Sequence, residues 1–383
     1  RYLGKDILYK DLLASVARLS YLYQHEMPGT IRMAFFCRNS PALVMTFLAM
    51  TNIRAVSIPL NPDALSSEIA ACLKESKATH LAVTSDLVGK ARDLLHSEHI
   101  NIPIIDIEKK QGGEYATSFT PPPEQTPKDA DTILLLRSGG YSSKPKFAAF
   151  SHRQLIHTGI ATRAHHHLSP QDRFHTVLPW AIPFAFVHAL LIPLMMGSTC
   201  IIDHGLQAVE LLDFLTESRV SRIVGTPAFF LKFLMVCKNE KRVLPSFKSA
   251  IVGLGSLSPE LKRAFDVLKV PVAHCYGQVE NLWTIAMQDT QDPGELPEGY
   301  VKGFMGKGLA GFKYKVVDAQ GDEVAHDGRR VGQLALSGPT MMLGYPDHDK
   351  ATKQALRGTW LYTGDYVQLD GTGETLTDRK SVV

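Results

Sequence analysis

The 383-residue chain is 45% hydrophobic and 21% charged, and its 41 basic residues against 38 acidic ones leave a net charge of +3. That length carries two or three packed units around a large core, and the near balance of charge gives no electrostatic case for nucleic acid or an anionic membrane. Five scattered cysteines (Cys37, Cys72, Cys200, Cys237, Cys275) form no Cys-x-x-Cys pair, which argues for a reducing, cytoplasmic setting and against a disulfide framework or zinc site. No signal-peptide apolar region opens the chain. The longest apolar stretch, 184–196, is too short to span a bilayer and contains His188 and Pro193, so a soluble protein is expected.

Leu12, Leu13, Val16, Leu19 and Leu22 recur at helical spacing before Gly29. The nearly continuous apolar run 31–37 predicts a strand buried on both faces. Helices over 41–53, 63–76 and 86–96 then alternate with strands over 55–59, 81–84 and 102–107. Residues 108–131 break the rhythm with Gly112-Gly113 and Pro121-Pro122-Pro123, and read as a surface connection, not a domain boundary. A strand begins at Ile133, a helix at Arg153, and a strand covers 176–178. An apolar helix over 184–196 follows. Strands over 199–202, 222–224, 249–252 and 271–275 are then separated by helices over 208–217, 228–238 and 259–268. Such alternation predicts parallel sheets flanked by helices.

After about 292 the texture changes. Phe312, Tyr314 and Val316 alternate with Lys313, Lys315 and Val317, and Gln320-Gly321 marks a turn. Short strands are expected over 332–336, 366–369 and 375–377, with Asp370-Gly371 as a hairpin turn. The fold expected is α/β: two mostly parallel sheets in 1–292, plus a smaller antiparallel, β-barrel-like unit over 293–380.

Chemistry concentrates in Ile133-Leu-Leu-Leu-Arg-Ser138-Gly-Gly-Tyr-Ser-Ser-Lys-Pro-Lys146, which ends shortly before Ser151-His152. Ser138, Gly139, Gly140, Tyr141, Ser142 and Ser143 offer N–H groups and hydroxyls that can wrap a polyphosphate, and Lys146 adds a point charge. The spacing is not that of a Walker loop. Taken alone, an exposed Ser/Gly loop is the commoner explanation. Four further pieces follow in order: Gly253-Leu-Gly-Ser-Leu257, Tyr276-Gly277-Gln-Val-Glu280, Gly332 to Pro339 leading to Gly344-Tyr345, and Tyr362-Thr-Gly-Asp365. Tyr276 can stack on a purine, Glu280 can hold Mg²⁺ as a hard oxygen ligand, and Asp365 can accept hydrogen bonds from ribose hydroxyls. Singly, each has a plainer reading: an aromatic at the core edge, a solvated helix-start acid, and a turn former beside Gly364.

Together, in this order, they resemble the adenylate-forming (AMP-binding) superfamily of acyl- and aryl-CoA ligases, peptide-synthetase adenylation domains and luciferases. The family's phosphate loop aligns on Ser138 to Phe147, its Tyr-Gly-x-Thr-Glu pattern on Tyr276 to Glu280, and its Thr-Gly-Asp on Thr363 to Asp365. The resemblance implies ATP-dependent activation of a carboxylic acid as an acyl-adenylate, then transfer to the thiol of CoA or of a carrier protein's phosphopantetheine. It gives Lys146 and Glu280 the catalytic roles, with Mg²⁺ on Glu280. Nucleotide contacts would come from the loop, Gly255, Ser256, Tyr276, Gly277, Val279, Asp365 and Arg379. Acid contacts would come from Trp180, Ile182, Phe184, His188, Gly253 and Leu254. Residues 1–383 would be the large N-terminal domain, with the family's small C-terminal domain absent after 383 and the catalyst correspondingly slow.

The chain departs from the family pattern at Tyr141, Ser143, Phe147 and Val279, and at Ile182, where CoA ligases carry histidine. A second reading therefore stands beside the ligase: a degenerate nucleotide- or acyl-binding module. The stretch Trp-Ala-Ile-Pro-Phe-Ala-Phe-Val-His over 180–188 has no acid to pair with a substrate ammonium. Trp180, Phe184 and Phe186 favour an aryl or medium-chain aliphatic acid over an α-amino acid. His188 reads as a satisfied core histidine or a catalytic one. His165-His166-His167 point around a helix and suit its C-terminal charge better than a metal.

Overall fold

The computed structural model describes residues 1–109, 131–139, 145–166, 168–203, 205–284, 286–289, 304–309, 311–369 and 375–378. Helix α1 (Tyr9–Glu26) turns Val16, Leu19, Ser20 and Tyr23 inward and packs on α2 (Pro41–Asn52). With them come β1 (Arg32–Phe36), β2 (Val56–Leu60), α3 (Ser66–Glu75), β3 (His80–Val83), α4 (Val88–Ser97) and β4 (Ile104–Asp106). Next are β5 (Leu134–Arg137), β6 (Phe147–Phe150), α5 (His152–His166) and β7 (Arg173–Thr176). The expected apolar helix has three parts: α6 (Pro183–Ala185), a π-helical turn (Phe186–Leu191) and α7 (Ile192–Met196). The alternation continues through β8 (Thr199–Ile201), α8 (Ala208–Glu217), β9 (Arg222–Gly225), α9 (Pro227–Asn239), β10 (Ser249–Val252), α10 (Pro259–Val267) and β11 (Val272–Tyr276). The last elements are β12 (Ala286–Asp289), β13 (Phe304–Gly308), β14 (Lys313–Val317), β15 (Gly332–Ser337), α11 (Asp349–Ala355), β16 (Leu356–Arg357), β17 (Trp360–Leu369) and β18 (Thr375–Asp378).

Three helices start on the same local chemistry. Ser40, Thr226 and Ser258 accept from the N–H groups of Leu43 (3.2 Å), Phe229 (3.1 Å) and Leu261 (3.2 Å), and a proline follows each cap. The hydroxyl satisfies an otherwise orphaned donor, and proline at the first helical position has no N–H to lose.

The first sheet runs β4-β3-β1-β2-β5-β6, parallel except for β6. The second begins with the parallel strands β8-β7-β9-β10-β11 and continues antiparallel through β12, β13, β18, β17, β15 and β14. The two lobes share a core. Phe47 of α2 meets Phe186 edge to face with ring centroids 5.1 Å apart.

Three elements differ from the sequence expectation. Strand β6, unforeseen, pairs antiparallel with β5 from Leu134↔Phe150 to Arg137↔Phe147, so the Ser/Gly run joins two strands before any helix starts. Its four residues, Phe147-Ala-Ala-Phe150, are all buried, and a run that short carries no period of its own. Strand β7 precedes the strand expected over 176–178, because the polar Arg173 and His175 concealed it. Strand β17 starts at Trp360, well before the expected 366, so the Thr-Gly-Asp stretch lies inside a strand. There the register slips between Gln333↔Tyr366 and Ala335↔Tyr362, and Gly364 takes φ 81°. The extra residues bulge out of the ladder and carry Asp365 with them. The hairpin turn expected at Asp370-Gly371 lies outside the described residues.

Among the described residues no helix is long and apolar enough to cross a membrane. All five cysteines are free thiols. At the N-terminal end of the second sheet, Asp172 is fully buried and receives Lys248 Nζ at 2.9 Å, Ser169 N at 3.1 Å and Ser221 Oγ at 3.1 Å, with Arg222 Nε at 3.3 Å. Burial alone would raise its carboxyl, but the Lys248 hydrogen bond and the Arg222 charge outweigh it and hold it below the usual carboxylate range. Asp172→Ala leaves the nearly buried Arg222 guanidinium without its carboxylate, while the half-exposed Lys248 ammonium can turn to water, and should destabilise the fold by about 3 kcal/mol in urea denaturation at neutral pH. A loss below about 1 kcal/mol would show the cluster to behave as a surface pair.

Candidate active site

The mouth of the β5–β6 hairpin is closed by Ser138 N donating to Lys146 O at 2.8 Å and Lys146 N donating to Ser138 Oγ at 3.1 Å. Ser138, Gly139 and Lys146 are thereby placed; Gly140, Tyr141, Ser142 and Ser143 lie outside the described residues. The Lys146 ammonium sits over the Tyr345 ring, 5.7 Å from its centroid. The Tyr345 hydroxyl in turn donates to Glu280 Oε1 at 2.7 Å. Burial, and then the neighbouring Glu280 charge, push the Tyr345 phenol far above its ordinary range, so it stays a proton donor.

Glu280 occupies a 3₁₀ turn (Val279–Asn281) after β11, capped reciprocally by Gln278 and Asn281. Leu282 and Trp283 follow, both at φ 56°. Two consecutive non-glycine residues in the left-handed region carry strain that the surrounding packing must hold. Gly277 makes this turn sterically possible, because a Cβ there would lie 2.4 Å from Trp283 Cα. Val279, a nucleotide-contact candidate, is instead buried in the core, 6% exposed.

At the end of β11, Tyr276 donates its hydroxyl to Asp365 Oδ2 at 2.5 Å. Two residues separated by 89 positions are thus joined, with Asp365 N held by Thr363 Oγ1 at 3.1 Å. Gly255 lies one strand away, and its carbonyl meets His274 Nε2 at 3.0 Å. Ser256 is exposed beside it, and Arg379 lies outside the described residues.

The residues assigned to the acid are mostly core. Trp180 and Phe186 are buried, as is Phe184, whose ring would lie 2.5 Å from a Cβ at Gly253. Phe184 also contacts His188 (centroids 4.9 Å apart) and Trp283 (5.5 Å), which the sequence reading had not singled out. Ile182 is half-buried, and Leu254 is exposed at φ 62°. His188 is buried with Nε2 3.4 Å from the Trp283 carbonyl, the core-histidine alternative, although its Nδ1 has no partner among the described residues. His165 and His166 fall in the last turn of α5.

A cleft of about 430 Å³ lies elsewhere between the lobes, lined by Arg38, Asp63, Asp86, Glu108 and Asp203 and by none of the assigned residues. Four carboxylates against one guanidinium repel a polyphosphate, so the linked Lys146, Tyr345 and Glu280, with the Tyr276–Asp365 pair at the end of β11, are the better candidate.

Two helix-flanked sheets with an antiparallel extension, bearing these groups on strand ends, a strand bulge and the adjoining turns, define the large domain of adenylate-forming enzymes. The chain belongs to the family of AMP-binding enzymes, whose sequence model matches residues 2–346. It is 24% identical over 377 residues to a feruloyl-CoA synthase of Amycolatopsis, covering 97% of this chain and 73% of that protein. Its fold matches the crystallised N-terminal domain of FACL13 from Mycobacterium tuberculosis with a TM-score of 0.85 at 18% identity, over 97% of this chain and 92% of that one. It also matches O-succinylbenzoate coenzyme A synthetase of Bacillus subtilis in complex with AMP, with a TM-score of 0.84 at 20% identity, over 100% and 75% of the two chains. That synthetase has also been solved with ATP and magnesium ion.

Burial holds the His188 imidazole down at about 4, partly offset by the Trp283 carbonyl. The unfolded chain's histidine titrates near ~6.5, so below that pH the unfolded state takes up a proton that the folded state refuses. Stability should therefore fall as pH drops from ~6.5 towards ~4, this group contributing about 3 kcal/mol of the loss. His188→Gln should flatten the urea-stability profile across that window; an unchanged profile would show the imidazole to be hydrated.

Proposed function

We propose that the protein activates a carboxylic acid with ATP, forming an acyl-adenylate and releasing pyrophosphate, and then transfers the acyl group to the thiol of CoA. A carrier protein's phosphopantetheine is the alternative acceptor. The observation that carries this reading is the Tyr276–Asp365 hydrogen bond, 2.5 Å across 89 residues of sequence, which brings the purine-facing and ribose-facing candidates to one place. The relatives support it, since the Amycolatopsis protein is named as a CoA synthase of an aryl acid. The non-catalytic module has no support among them. The proposed division is one large domain over 1–383, with two α/β lobes over 1–292 and the antiparallel unit over 293–380. Free cysteines fit a cytoplasmic location.

The substrate carboxylate oxygen attacks the α-phosphorus as the bond to the β-phosphate oxygen breaks, and pyrophosphate leaves. A thiolate then attacks the acyl carbon and AMP leaves. No protein nucleophile is needed, so the chain's work is positioning and charge stabilisation. Ser138, Gly139 and Lys146, with the loop 140–143, would steady the phosphates. Tyr276 would cover the adenine beside Gly255 and Ser256, and Asp365 and Arg379 would hold the ribose. Phe184, His188, Trp283 and Gly253 would border the acid, with no carboxylate for an ammonium.

Among the described residues no three His, Cys, Asp or Glu side chains could hold a metal by themselves. A single carboxylate, Glu280, nonetheless fits Mg²⁺, which is usually bound through one or two carboxylates plus substrate phosphates and water. When bound, the ion would neutralise charge on the phosphates.

Asp365→Ala should weaken AMP binding by about 1–3 kcal/mol in calorimetry, the worth of charge-assisted ribose hydrogen bonds. Unchanged affinity would remove the ribose assignment. A pyrophosphate-exchange screen should show exchange with benzoate-like or medium-chain acids and none with standard α-amino acids. The reverse pattern would overturn the substrate class, and nucleotide binding with no exchange for any acid would overturn catalysis.

A further inference from the structure

Residues 342–345 form a strap between the two sheets. Leu343 N donates to Ala149 O at 2.8 Å and Ala149 N to Gly344 O at 3.0 Å on β6, while Met342 N donates to Glu280 O at 2.8 Å. Gly344 sits at φ 144°, where a Cβ would come within 2.8 Å of the Thr352 methyl. Thr352 on α11 accepts from Tyr345 N at 2.8 Å and holds the strap from behind. Tyr345 therefore projects from a backbone fixed on three sides. Its ring face seats the Lys146 ammonium and its hydroxyl holds one oxygen of Glu280.

We propose that Tyr345 is a positioning residue for nucleotide activation, setting the Glu280 carboxylate and the Lys146 ammonium in fixed relation to each other. The inference rests on the adenylation reading. A glutamate has three side-chain torsions, and a carboxylate near an ammonium tends to collapse onto it and quench both charges. A phenol prevents this with one neutral group. Its O–H fixes Oε1 without adding a positive charge that would compete with a metal ion, so that the Glu280 carboxylate would remain able to hold Mg²⁺. Its ring gives the ammonium an alternative seat.

The test compares wild type, Tyr345→Phe and Glu280→Gln by calorimetry, using ATP across a MgCl₂ series and AMP without metal. Phenylalanine keeps the ring and removes only the hydroxyl, and melting temperature checks that each variant is folded. Tyr345→Phe should weaken ATP binding in saturating Mg²⁺ about 10- to 150-fold, as expected for one hydrogen bond to a charged group, and shift the MgCl₂ dependence upward. AMP affinity should stay within about twofold of wild type, below the effect of a typical net hydrogen bond. A normal MgCl₂ dependence in Tyr345→Phe beside an impaired Glu280→Gln would overturn the inference alone. Equal loss for ATP and AMP would also overturn it, reducing Tyr345 to a structural role. An unchanged Glu280→Gln would overturn the metal reading of Glu280 and this inference with it.

Discussion

Two sheets become one site because a short run of backbone is hydrogen-bonded to both. Residues 342–344 lie against Ala149 of β6 on one side and against the Glu280 turn on the other. These three bonds are all backbone to backbone at 2.8–3.0 Å, so they tolerate little drift between the lobes. Behind them the lobes share apolar packing, with Phe47 against Phe186. The Ser/Gly hairpin belongs to the first sheet, and Tyr276, Glu280 and Asp365 belong to the second. The shared core holds the lobes together, and the strap adds a direct backbone link between the hairpin that carries Lys146 and the turn that carries Glu280.

The same constraint explains why the local backbone is unusual. Leu282 and Trp283 are both left-handed, and Gly277 gives the room that Trp283 needs. Such a turn persists only where the surroundings over-determine it. Here Trp283 packs on Phe184, its carbonyl faces His188, and Asn281 caps the turn from within. The bulge in β17 is a comparable device, re-aiming Asp365 towards Tyr276 at the cost of ladder hydrogen bonds. The proposed chemistry needs no protein nucleophile and would depend on such placement, since catalysis would then come from fixed dipoles and charges.

The buried polar groups divide by role. Asp172, ringed by Lys248, Arg222 and two serines, ties β7 to its neighbours at the edge away from the assigned site. His188 is held neutral by burial beside Phe184 and Trp283. The first is stabilised by charge and the second by the absence of it. The acidic cleft around Asp63, Asp86 and Asp203 is larger than a water site but has the wrong sign for a polyphosphate.

Most of the architecture was legible in the chain itself, because its signals are local. Apolar runs such as 31–37 and 249–252 mark strands buried on both faces, and Ser-Pro or Thr-Pro pairs at Ser40, Thr226 and Ser258 mark helix starts within four residues. The order of the Ser/Gly run, Tyr276, Glu280 and Asp365 likewise needed no coordinates to be noticed. What the sequence could not contain is which distant residues touch. Phe147-Ala-Ala-Phe150 is too short to declare itself a strand until β5 pairs with it. The Asp365 bulge exists only relative to the register of β15. Tyr345 and Trp283 gain their places through contacts with residues 65 and about 100 positions away, Glu280 and Phe184. Propensity and hydrophobic period act along the chain over a few residues, whereas register and side-chain contact arise only when separate segments pack; the first determined this protein's elements, and the second decided its site.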